Sequence, residues 1–483
     1  MTKFLLIGLD GLRPDFVNDE WMPLLSALKR EGTVFTRHRA MFPSETYVNL
    51  ASILTGLSPD RHGIVANAFL LPEFDTATPW SGDDLGPVEA SIRGLPEGLI
   101  TAPTLGDRLV QSGKRAWIFS GNSAGSARQM HPLIGRAPGH LLFIGADWQA
   151  SQPRSLAERI VARVSEPPAV DPSVSTTALQ NYLIDAFLYL AETSELPEAT
   201  VLWLGEPDNV LHAHGLGAER TIAELHALDD GIGRIVDWWH GGGRRTEVTM
   251  LVTSDHGHIT QSRKVDVTGA LRFAGYSVGA SFADGAEVAL VPGYAGNLRV
   301  RDGGPTLLAS VARTLMAWPE TGLLFTRGGD GVEGSVPGTF SQQLVRLQHT
   351  RSADLVFTLR TDNDTDAFGY RGTCRFDNEL PVGVGYHGGL HPSELSAFLV
   401  GLGPPFREGT VSDQPTSVLD IMPTILSLLG EATVGLEGRS LTCGPQPCFV
   451  DAHYRVSAGS YAQVLYTTRV GHSLQINGGW RES

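Results

Sequence analysis

The sequence predicts an α/β fold in which a doubly wound, mainly parallel sheet carries helices on both faces and holds an inserted α+β subdomain. Its 483 residues, 42% of them hydrophobic, can bury a core larger than one minimal domain needs. In the first half of the chain, short apolar runs alternate with segments of helical periodicity, which favours a parallel sheet. Between about 263 and 384 the pattern changes to shorter, glycine-rich strands, which indicates an insertion.

The core elements before the insertion follow from this alternation. An apolar run at residues 4–9 predicts a buried first strand. Residues 22–30 predict an amphipathic helix, because Leu24, Leu25 and Leu28 recur at helical spacing. The other predicted elements of this part are strands at 116–120, 200–204 and 248–253 and a helix at 218–239.

The second half of the chain contains the insertion and the return to the core. Two helices are predicted inside the insertion, at residues 306–318 and 339–348. A core-type strand at 396–402 and a core-type helix at 417–429 indicate that the main sheet then resumes. The predicted organisation is a core of residues 1–262 and 385–445, an inserted subdomain of residues 263–384 and a C-terminal β extension of residues 446–483.

Composition argues against several classes of protein. A formal net charge of -15 disfavours a nucleic-acid scaffold, since phosphate backbones are bound mainly through an excess of Lys and Arg. An acidic chain can still bind phosphate where metal ions invert the local charge. The first apolar run is too short for a signal peptide or a membrane span, so we expect a cytoplasmic protein with no membrane partner. Cys374, Cys443 and Cys448 lack zinc-site spacing and give little support to a disulfide framework.

Acidic residues and histidines follow the predicted core strands at the points where these strands end. Asp10 directly follows the first strand, and Asp208 follows the strand at 200–204 after a short turn. Asp255 and His256 end the strand at 248–253. Because ligands of an open α/β sheet bind at the carboxyl ends of its strands, these side chains can converge. Such convergence is typical of a metal site.

Asp208 and His212 lie four residues apart in PDNVLHAHG, which places both on one face of a helix. A carboxylate and an imidazole in this arrangement can chelate one metal ion. The alternative is that Asp208 only caps the helix and that His212 lies on its surface. His214 lies off this face and has no assigned role.

The segment TSDHGH contributes a second group of candidate ligands. Asp255 and His256 are adjacent, and Gly257 permits a sharp turn that can aim both side chains into one cleft. His258 is either a further ligand or a supporting group. Oxygen and nitrogen ligands of this kind suit zinc or manganese.

A late histidine completes the candidate ligands. His387 lies in the glycine-rich segment GYHGGLHP, where a loop is predicted, so a packed core histidine is less plausible there. His391 in the same segment is the rival candidate.

The segment FPSETYVNLASILTG supplies the candidate nucleophile. Pro43 and Ser44 predict the start of a helix that ends at Gly56, so Thr46 falls in its first turn. A hydroxyl there lies at the positive end of the helix dipole, and metal coordination would help it to lose its proton. The alternative is a simple helix-cap threonine, and Ser44 is otherwise an equal hydroxyl.

Together these motifs resemble the alkaline phosphatase superfamily, most closely its nucleotide pyrophosphatase/phosphodiesterase branch of type I phosphodiesterases. The matching motifs, in the family's order, are Asp10, the Thr46 segment, Asp208 with His212, Asp255-His256-Gly257 and His387-Gly388. SVLDIMPTILSLLG and LEGRSL extend the resemblance to about residue 442, and it implies an alkaline phosphatase-like fold. The family has an asparagine 21 residues after the threonine that helps to hold the phosphoryl oxygens. Asn67 has that spacing here, which favours Thr46 over Ser44.

The resemblance also implies two divalent metal ions, with zinc expected and manganese the alternative. One ion would be held by Asp208, His212 and His387, and the other by Asp10, Thr46, Asp255 and His256. It implies further that Thr46 attacks phosphorus, that a phosphothreonine forms, and that water then hydrolyses it. Asn67 would donate a hydrogen bond to the transferring group.

The residues around Thr46 favour a small-molecule phosphodiester or nucleotide pyrophosphate as substrate. Monoesterases of the superfamily place an arginine beside the nucleophile, whereas Glu45 and Tyr47 flank Thr46 here. A carboxylate disfavours a doubly charged phosphate more than a singly charged diester. By resemblance Tyr47 would stack on a nucleobase, and the alternative is that its ring packs within the protein.

Other branches of the superfamily fit less well. FPSETYV lacks the Cys/Ser-x-Pro-x-Arg segment of sulfatases and related phosphonate monoester hydrolases. GNSAGSA, after the strand at 116–120, lacks the lysine pair of phosphonoacetate hydrolases. The alternatives that stay open are another phosphonate hydrolase, a phosphomonoesterase and a non-catalytic metal-binding or ligand-binding homologue.

Overall fold

The computed structural model of the chain describes residues 3–71, 73–442 and 448–482, so Cys443 lies outside the described residues. The strands of these residues are β1 (Lys3–Leu9), β2 (Gly32–Phe35), β3 (His38–Arg39), β4 (Ala68–Leu71), β5 (Asp75–Ser81), β6 (Ala116–Ser120), β7 (Leu141–Ile144), β8 (Ala199–Leu204), β9 (Val248–Thr253), β10 (Ile259–Lys264), β11 (Val278–Gly279), β12 (Val288–Val291), β13 (Ala295–Val300), β14 (Thr321–Thr326), β15 (Phe340–Ser341), β16 (Leu355–Leu359), β17 (Thr361–Thr365), β18 (Arg371–Phe376), β19 (Gly385–Tyr386), β20 (Leu399–Leu402), β21 (Thr410–Ser412), β22 (Thr416–Ser417), β23 (Phe449–Ala458), β24 (Tyr461–Val470) and β25 (Ser473–Arg481).

The α-helices of the same residues connect and cover these strands. They are α1 (Pro23–Leu28), α2 (Thr46–Thr55), α3 (Pro59–His62), α4 (Leu85–Gly94), α5 (Leu105–Gln111), α6 (Ala124–Gln129), α7 (Arg154–Val164), α8 (Thr177–Thr193), α9 (Asp208–His214), α10 (Glu219–His240), α11 (Arg244–Glu247), α12 (Val267–Phe273), α13 (Pro305–Ala317), α14 (Pro392–Leu395) and α15 (Ile421–Leu428). Among the described helices, none combines the length and the apolar character that a membrane crossing needs.

The main sheet of the described chain joins strands in the order β21-β2-β20-β9-β1-β8-β6-β7. The run from β9 to β7 is parallel throughout, whereas β20 lies antiparallel to both of its neighbours. Side chains of β1 alternate between two apolar layers: Leu5 and Ile7 pack with α8 and α10, and Phe4 and Leu6 pack with α2 and α15. This confirms the predicted α/β class with helices on both faces.

The middle of the chain builds two smaller sheets around a core of their own. One has the strand order β11-β12-β13-β16-β14-β15 and the other has the order β17-β18-β10-β19. Helices α12 and α13 contribute to the apolar core of this region. The exact division of the chain into domains stays a prediction.

The C-terminal residues form an antiparallel sheet of β23, β24 and β25 that is tied to the middle region. Gln463 of β24 accepts a hydrogen bond from the Leu324 amide at 2.9 Å and donates one to the Leu324 carbonyl at 3.0 Å. The buried Gln463 side chain therefore binds both main-chain polar groups of Leu324 in β14.

Two predicted helices differ from the observed elements. The helix predicted at 339–348 is wrong: Phe340 pairs with Phe325 of β14, and a 3-10 turn at Gln342–Val345 follows. Ser341 accepts a hydrogen bond from the Gln343 amide, so strand pairing and a side-chain cap outweigh the helical apolar spacing. The helix predicted at 417–429 begins with a 3-10 turn and is α-helical only over Ile421–Leu428.

Candidate active site

The candidate site lies at the carboxyl ends of three neighbouring parallel strands. β1 pairs with β8 on one side and with β9 on the other. Asp10 follows β1, α9 begins at Asp208 after β8, and Asp255 with His256 follows β9. These side chains meet at one edge of the sheet because parallel strands end on the same side.

A first group of ligand atoms surrounds Asp208. The distances from its Oδ1 atom to the nearest Nε2 atoms are 3.4 Å for His212, 3.1 Å for His258 and 3.3 Å for His387. The spacing of four residues places Asp208 and His212 on one face of α9. Ligand atoms of a tetrahedral zinc ion with bonds of about 2.0–2.1 Å lie about 3.3–3.4 Å apart, so the group fits a divalent ion.

The Nδ1 atom of each of the four histidines lies within hydrogen-bond distance of a main-chain carbonyl oxygen. The partners are Gly385 for His212 at 2.7 Å, Gly11 for His258 at 3.1 Å, Ser44 for His387 at 2.7 Å and Gly257 for His256 at 3.1 Å. A carbonyl oxygen can only accept, so each Nδ1 carries a hydrogen and each Nε2 is the nitrogen left for a metal ion. The Nε2 atoms converge on the carboxylates, as in histidine metal ligands whose other nitrogen is hydrogen-bonded. Burial lowers the pKa of His387, but the hydrogen bond to Asp208 and its charge outweigh burial and raise that pKa to about 9.

A second group of ligand atoms surrounds Thr46. Its Oγ1 atom lies 3.3 Å from Asp10 Oδ1 and 3.2 Å from His256 Nε2. His256 Nε2 lies 3.5 Å from Asp10 Oδ1 and 3.4 Å from Asp255 Oδ2. Asp255 Oδ2 is buried without a hydrogen-bond partner among the described residues, which suits an atom that binds a metal ion. This group therefore fits a second divalent ion.

Three carboxylates share this buried volume and perturb one another. Burial and the charges of Asp255 and Asp208 raise the pKa of Asp10 well above its ordinary value. Burial also raises the pKa of Asp255 to about 7, against a hydrogen bond from the Gly11 amide. For Asp208 burial acts in the same direction, but the neighbouring His212, His258 and His387 side chains together outweigh it and hold the pKa well below its ordinary value. Divalent cations would relieve this crowding of negative charge.

Thr46 is the first residue of α2, and Glu45 is its N-cap. The helix therefore begins after Pro43 and Ser44, which the sequence predicts as its start. Ser44 instead binds residues 387–391, the loop between β19 and α14: its hydroxyl donates to the Gly389 carbonyl at 3.0 Å, and its own carbonyl accepts from His387. Of the two candidate hydroxyls, only that of Thr46 reaches the second ligand group.

Asn67 and Tyr47 lie beside Thr46 and are bonded to each other. The Tyr47 amide donates to Asn67 Oδ1 at 2.9 Å, so the Nδ2 donor is the remaining polar atom of that side chain. The Tyr47 hydroxyl bonds to Asp83, and its ring, 7% exposed, packs beneath Gly82. Little of the Tyr47 ring is open to a ligand, and its stacking on a nucleobase stays a prediction.

Two other histidines of these motifs, His391 and His214, make contacts outside the two ligand groups. His391 caps α14: its Nδ1 accepts from the Ser393 amide at 3.2 Å, and its Nε2 lies 3.0 Å from Asn363 Oδ1. His214 donates to the Val174 carbonyl at 2.9 Å. His387 thus joins the first ligand group, and His391 does not.

Asn122 is a residue of the site that the sequence reasoning missed. Its Nδ2 donates to Asp10 Oδ2 at 2.6 Å, beside a longer bond of 3.3 Å from Trp203 Nε1. Asn122 follows the carboxyl end of β6, so the strand-end argument applied to Asp10 would have found it if it had included amides.

A cavity of about 480 Å³ opens over both ligand groups. The residues after α7 and the start of α8 form one wall, with Val170, Pro172 and Leu179. The hairpin of β12 and β13 also lines the cavity, with Val291 and Ala295. Among the described residues, no lysine or arginine lines this cavity. It can therefore take an apolar substituent next to a phosphoryl group whose charge is balanced by metal ions.

Comparison with known proteins agrees with this geometry. The family model described as "Type I phosphodiesterase / nucleotide pyrophosphatase" matches residues 4–320. Ectonucleotide pyrophosphatase/phosphodiesterase family member 1 of Mus musculus is 28% identical over 257 residues, which are 52% of this chain and 24% of that protein. Venom phosphodiesterase of Macrovipera lebetinus is 40% identical over 68 residues, or 14% of this chain and 8% of that protein. The match thus spans about a quarter or less of these relatives.

Solved structures share the fold. Murine ectonucleotide pyrophosphatase/phosphodiesterase 5 superposes with a TM-score of 0.60 at 16% identity, over 90% of this chain and 97% of that chain. An inactive threonine-to-alanine variant of that protein, in complex with AMP, superposes with a TM-score of 0.61 over 91% of this chain and 97% of that chain. At this identity the similarity concerns the fold.

Proposed function

Because the chain belongs to the type I phosphodiesterase / nucleotide pyrophosphatase family, we propose that it is a two-metal hydrolase that cleaves phosphodiesters through a phosphothreonine on Thr46. The observation that carries this proposal is the position of the Thr46 hydroxyl. It lies at the start of α2, within 3.3 Å of Asp10 and His256 and at the floor of the cavity. A nucleophile in a helix's first turn also benefits from the helix dipole.

The chemistry needs an activated oxygen and a stabilised phosphoryl group. Two divalent ions, when bound, would supply the positive charge that activates the threonine and balances the phosphoryl oxygens. The Thr46 oxygen, after losing its proton, forms a bond to phosphorus while the bond to the leaving oxygen breaks and that oxygen takes up a proton. Water then cleaves the phosphothreonine, which restores the hydroxyl and releases a phosphomonoester.

Asn67 is placed to assist both steps. Its Oδ1 atom is occupied by the Tyr47 amide, which holds the side chain beside Thr46 and leaves Nδ2 as its donor. We assign Nδ2 a hydrogen bond to a phosphoryl oxygen in the transition state.

The charge of the cavity supports a singly charged diester as substrate. The half-buried Glu45 side chain accepts a hydrogen bond from the Asn67 amide and stands next to Thr46, and desolvation raises its pKa to about 7. With no lysine or arginine among the described lining residues, a second phosphate charge would have no cationic side chain to pair with. We therefore expect small diesters with an uncharged leaving group to react faster than phosphomonoesters or polyphosphates. The AMP complex of the structural neighbour makes nucleotide diesters suitable first probes.

The proposal is tested with the metal-loaded chain on bis-p-nitrophenyl phosphate, p-nitrophenyl phosphate and a p-nitrophenyl phenylphosphonate. We expect the diester to be the best substrate, and monoester turnover far above diester turnover would contradict the choice. The Thr46→Ala variant should lose roughly 10³-fold or more in kcat, whereas Thr46→Ser should keep part of the activity. Ser44→Ala is the matched control, because the Ser44 hydroxyl binds Gly388, Gly389 and Glu394 and not the ligand atoms around Thr46. Activity that survives Thr46→Ala but not Ser44→Ala would overturn the nucleophile assignment.

A further inference from the structure

His258 lies inside the first ligand group, where the resemblance implies only Asp208, His212 and His387. We propose that His258 is a fourth protein ligand of this ion, which is then held by three imidazoles and one carboxylate. The inference rests on the proposed two-metal centre, and it concerns a residue to which the family resemblance gives no role.

The position of the His258 ring supports coordination. Its Nε2 atom is 3.1 Å from Asp208 Oδ1, the shortest of the three distances to that oxygen. Its ring centroid lies 5.1 Å from that of His212 and 5.0 Å from that of His387. The side chain is fully buried, and its Nε2 has no hydrogen-bond partner of suitable geometry within the described part of the chain. A buried nitrogen so close to a carboxylate oxygen, and yet unpaired, is typical of two ligands of one ion.

The other nitrogen of the His258 ring is already used by the protein. His258 Nδ1 lies 3.1 Å from the Gly11 carbonyl, which can only accept, so Nδ1 donates to it. Nε2 is therefore the nitrogen that is left to bind an ion, and it faces the ligand group of Asp208.

The lack of a side chain at Gly11 leaves space for the His258 ring. Gly11 has a φ of +69°, and a Cβ atom there would lie 2.4 Å from Cε1 of His258. Ile259 of β10 pairs with Tyr386 of β19 in an antiparallel ladder, which brings the adjacent His258 and His387 opposite each other. The contact between these two histidines therefore follows from strand pairing.

A fourth protein ligand changes what the first ion can do. Three protein ligands are typical of catalytic zinc sites and four of structural ones, so the added imidazole would tighten the hold of this chain on the first ion. The first ion should consequently be bound more tightly than the second, which has one imidazole and only oxygen ligands besides.

The direct test is a crystal structure of the zinc-loaded chain with anomalous scattering used to locate the ions. The expected result is a His258 Nε2 atom within about 2.0–2.1 Å of the first ion. A zinc ion bound by Asp208, His212 and His387 with His258 Nε2 more than about 3 Å away would overturn the proposal. This measurement does not depend on a variant that folds.

Metal affinity provides the second test, by competition with a chelator in solution. His258→Gln should weaken the tighter zinc site by about tenfold or more, since even supporting partners of ligands cost about 10–100-fold. It should also alter the visible absorption of the Co²⁺-loaded protein. His214→Gln is the matched control, because that imidazole lies on the same helix as His212 but outside the group. Equal affinity and spectrum for His258→Gln and the wild type would refute the fourth ligand.

These readouts separate the inference from the proposed function. A chain that binds zinc through His258 but hydrolyses no phosphodiester would keep the fourth ligand and refute the proposed activity. A chain that hydrolyses diesters while His258 lies away from the zinc ion would support the proposed activity and refute the fourth ligand.

Discussion

Replacing Asn122 with alanine should weaken the binding of a metal ion by the Thr46 group. Metal binding by the Asp208 group should stay nearly unchanged. Asn122 Nδ2 donates to Asp10 Oδ2 at 2.6 Å, and the 3.3 Å bond from Trp203 is the other side-chain bond to that atom among the described residues. A hydrogen bond to a charged group contributes about 1.5–3 kcal/mol. At about 1.4 kcal/mol per factor of ten, this corresponds to roughly 10–100-fold in affinity, which agrees with the cost of losing a ligand's supporting partner.

The assay is a two-step titration of the metal-free protein with Zn²⁺ in the presence of a competing chelator, with diester hydrolysis measured at each step. We expect the weaker step to shift by about 10–100-fold and the activity at limiting zinc to fall with it. Asn209→Ala is the matched control: it removes a cavity asparagine whose amide bonds to the Gly205 carbonyl at 2.6 Å instead of to a carboxylate. The prediction is wrong if neither titration step shifts in Asn122→Ala. It is also wrong if Asn122→Ala and Asn209→Ala shift both steps equally.

Further outcomes concern stability. Gly11→Ala should lower the free energy of unfolding by more than Gly113→Ala in urea titrations. Both glycines have positive φ, which costs an alanine about 1 kcal/mol, but only at Gly11 would the new Cβ meet a side chain, at 2.4 Å from His258. Equal losses would contradict the clash. Burial lowers the pKa of His62 and of His131 to about 3. Below pH 6.5 these histidines therefore bind protons in the unfolded chain but not in the folded chain. Each of them should lower the free energy of unfolding by about 1.4 kcal/mol per pH unit down to about pH 3. His62→Gln should reduce the slope of unfolding free energy against pH by about 1.4 kcal/mol per pH unit, because one titrating group is removed. An identical slope in the variant and the wild type would contradict the lowered pKa of His62.

Much of the fold could be predicted from local patterns. The strands β1, β6, β8 and β9 are runs of apolar residues buried on both faces, and such runs stand out from the helices between them. Asp10, Asp208 and Asp255 could be predicted as neighbours because side chains at the carboxyl ends of adjacent parallel strands must converge. The i, i+4 spacing of His212 likewise needs only a helix.

Other features depend on contacts between distant parts of the chain. Residues 340–345 have helical spacing but form a strand and a 3-10 turn, because β14 offers a partner for Phe340. Gly257 was expected to permit a sharp turn, yet its lack of a side chain serves close packing, since a Cβ there would lie 2.4 Å from the Ser393 carbonyl. Neither partner could be inferred from the neighbouring sequence.

The fold class therefore follows from the sequence, and so does the closeness of Asp10, Asp208, Asp255 and Thr46, because strand ends and helix turns place these residues locally. The tertiary structure alone decided that His387 joins the ligand group while His391 caps a helix, since both lie in one short loop. It also placed His258, which the sequence left open as a ligand or a supporting group, and added Asn122; their positions follow from the pairing of β10 with β19 and of β6 with β8. Such pairings join residues far apart in sequence, and no local pattern encodes which strands will meet.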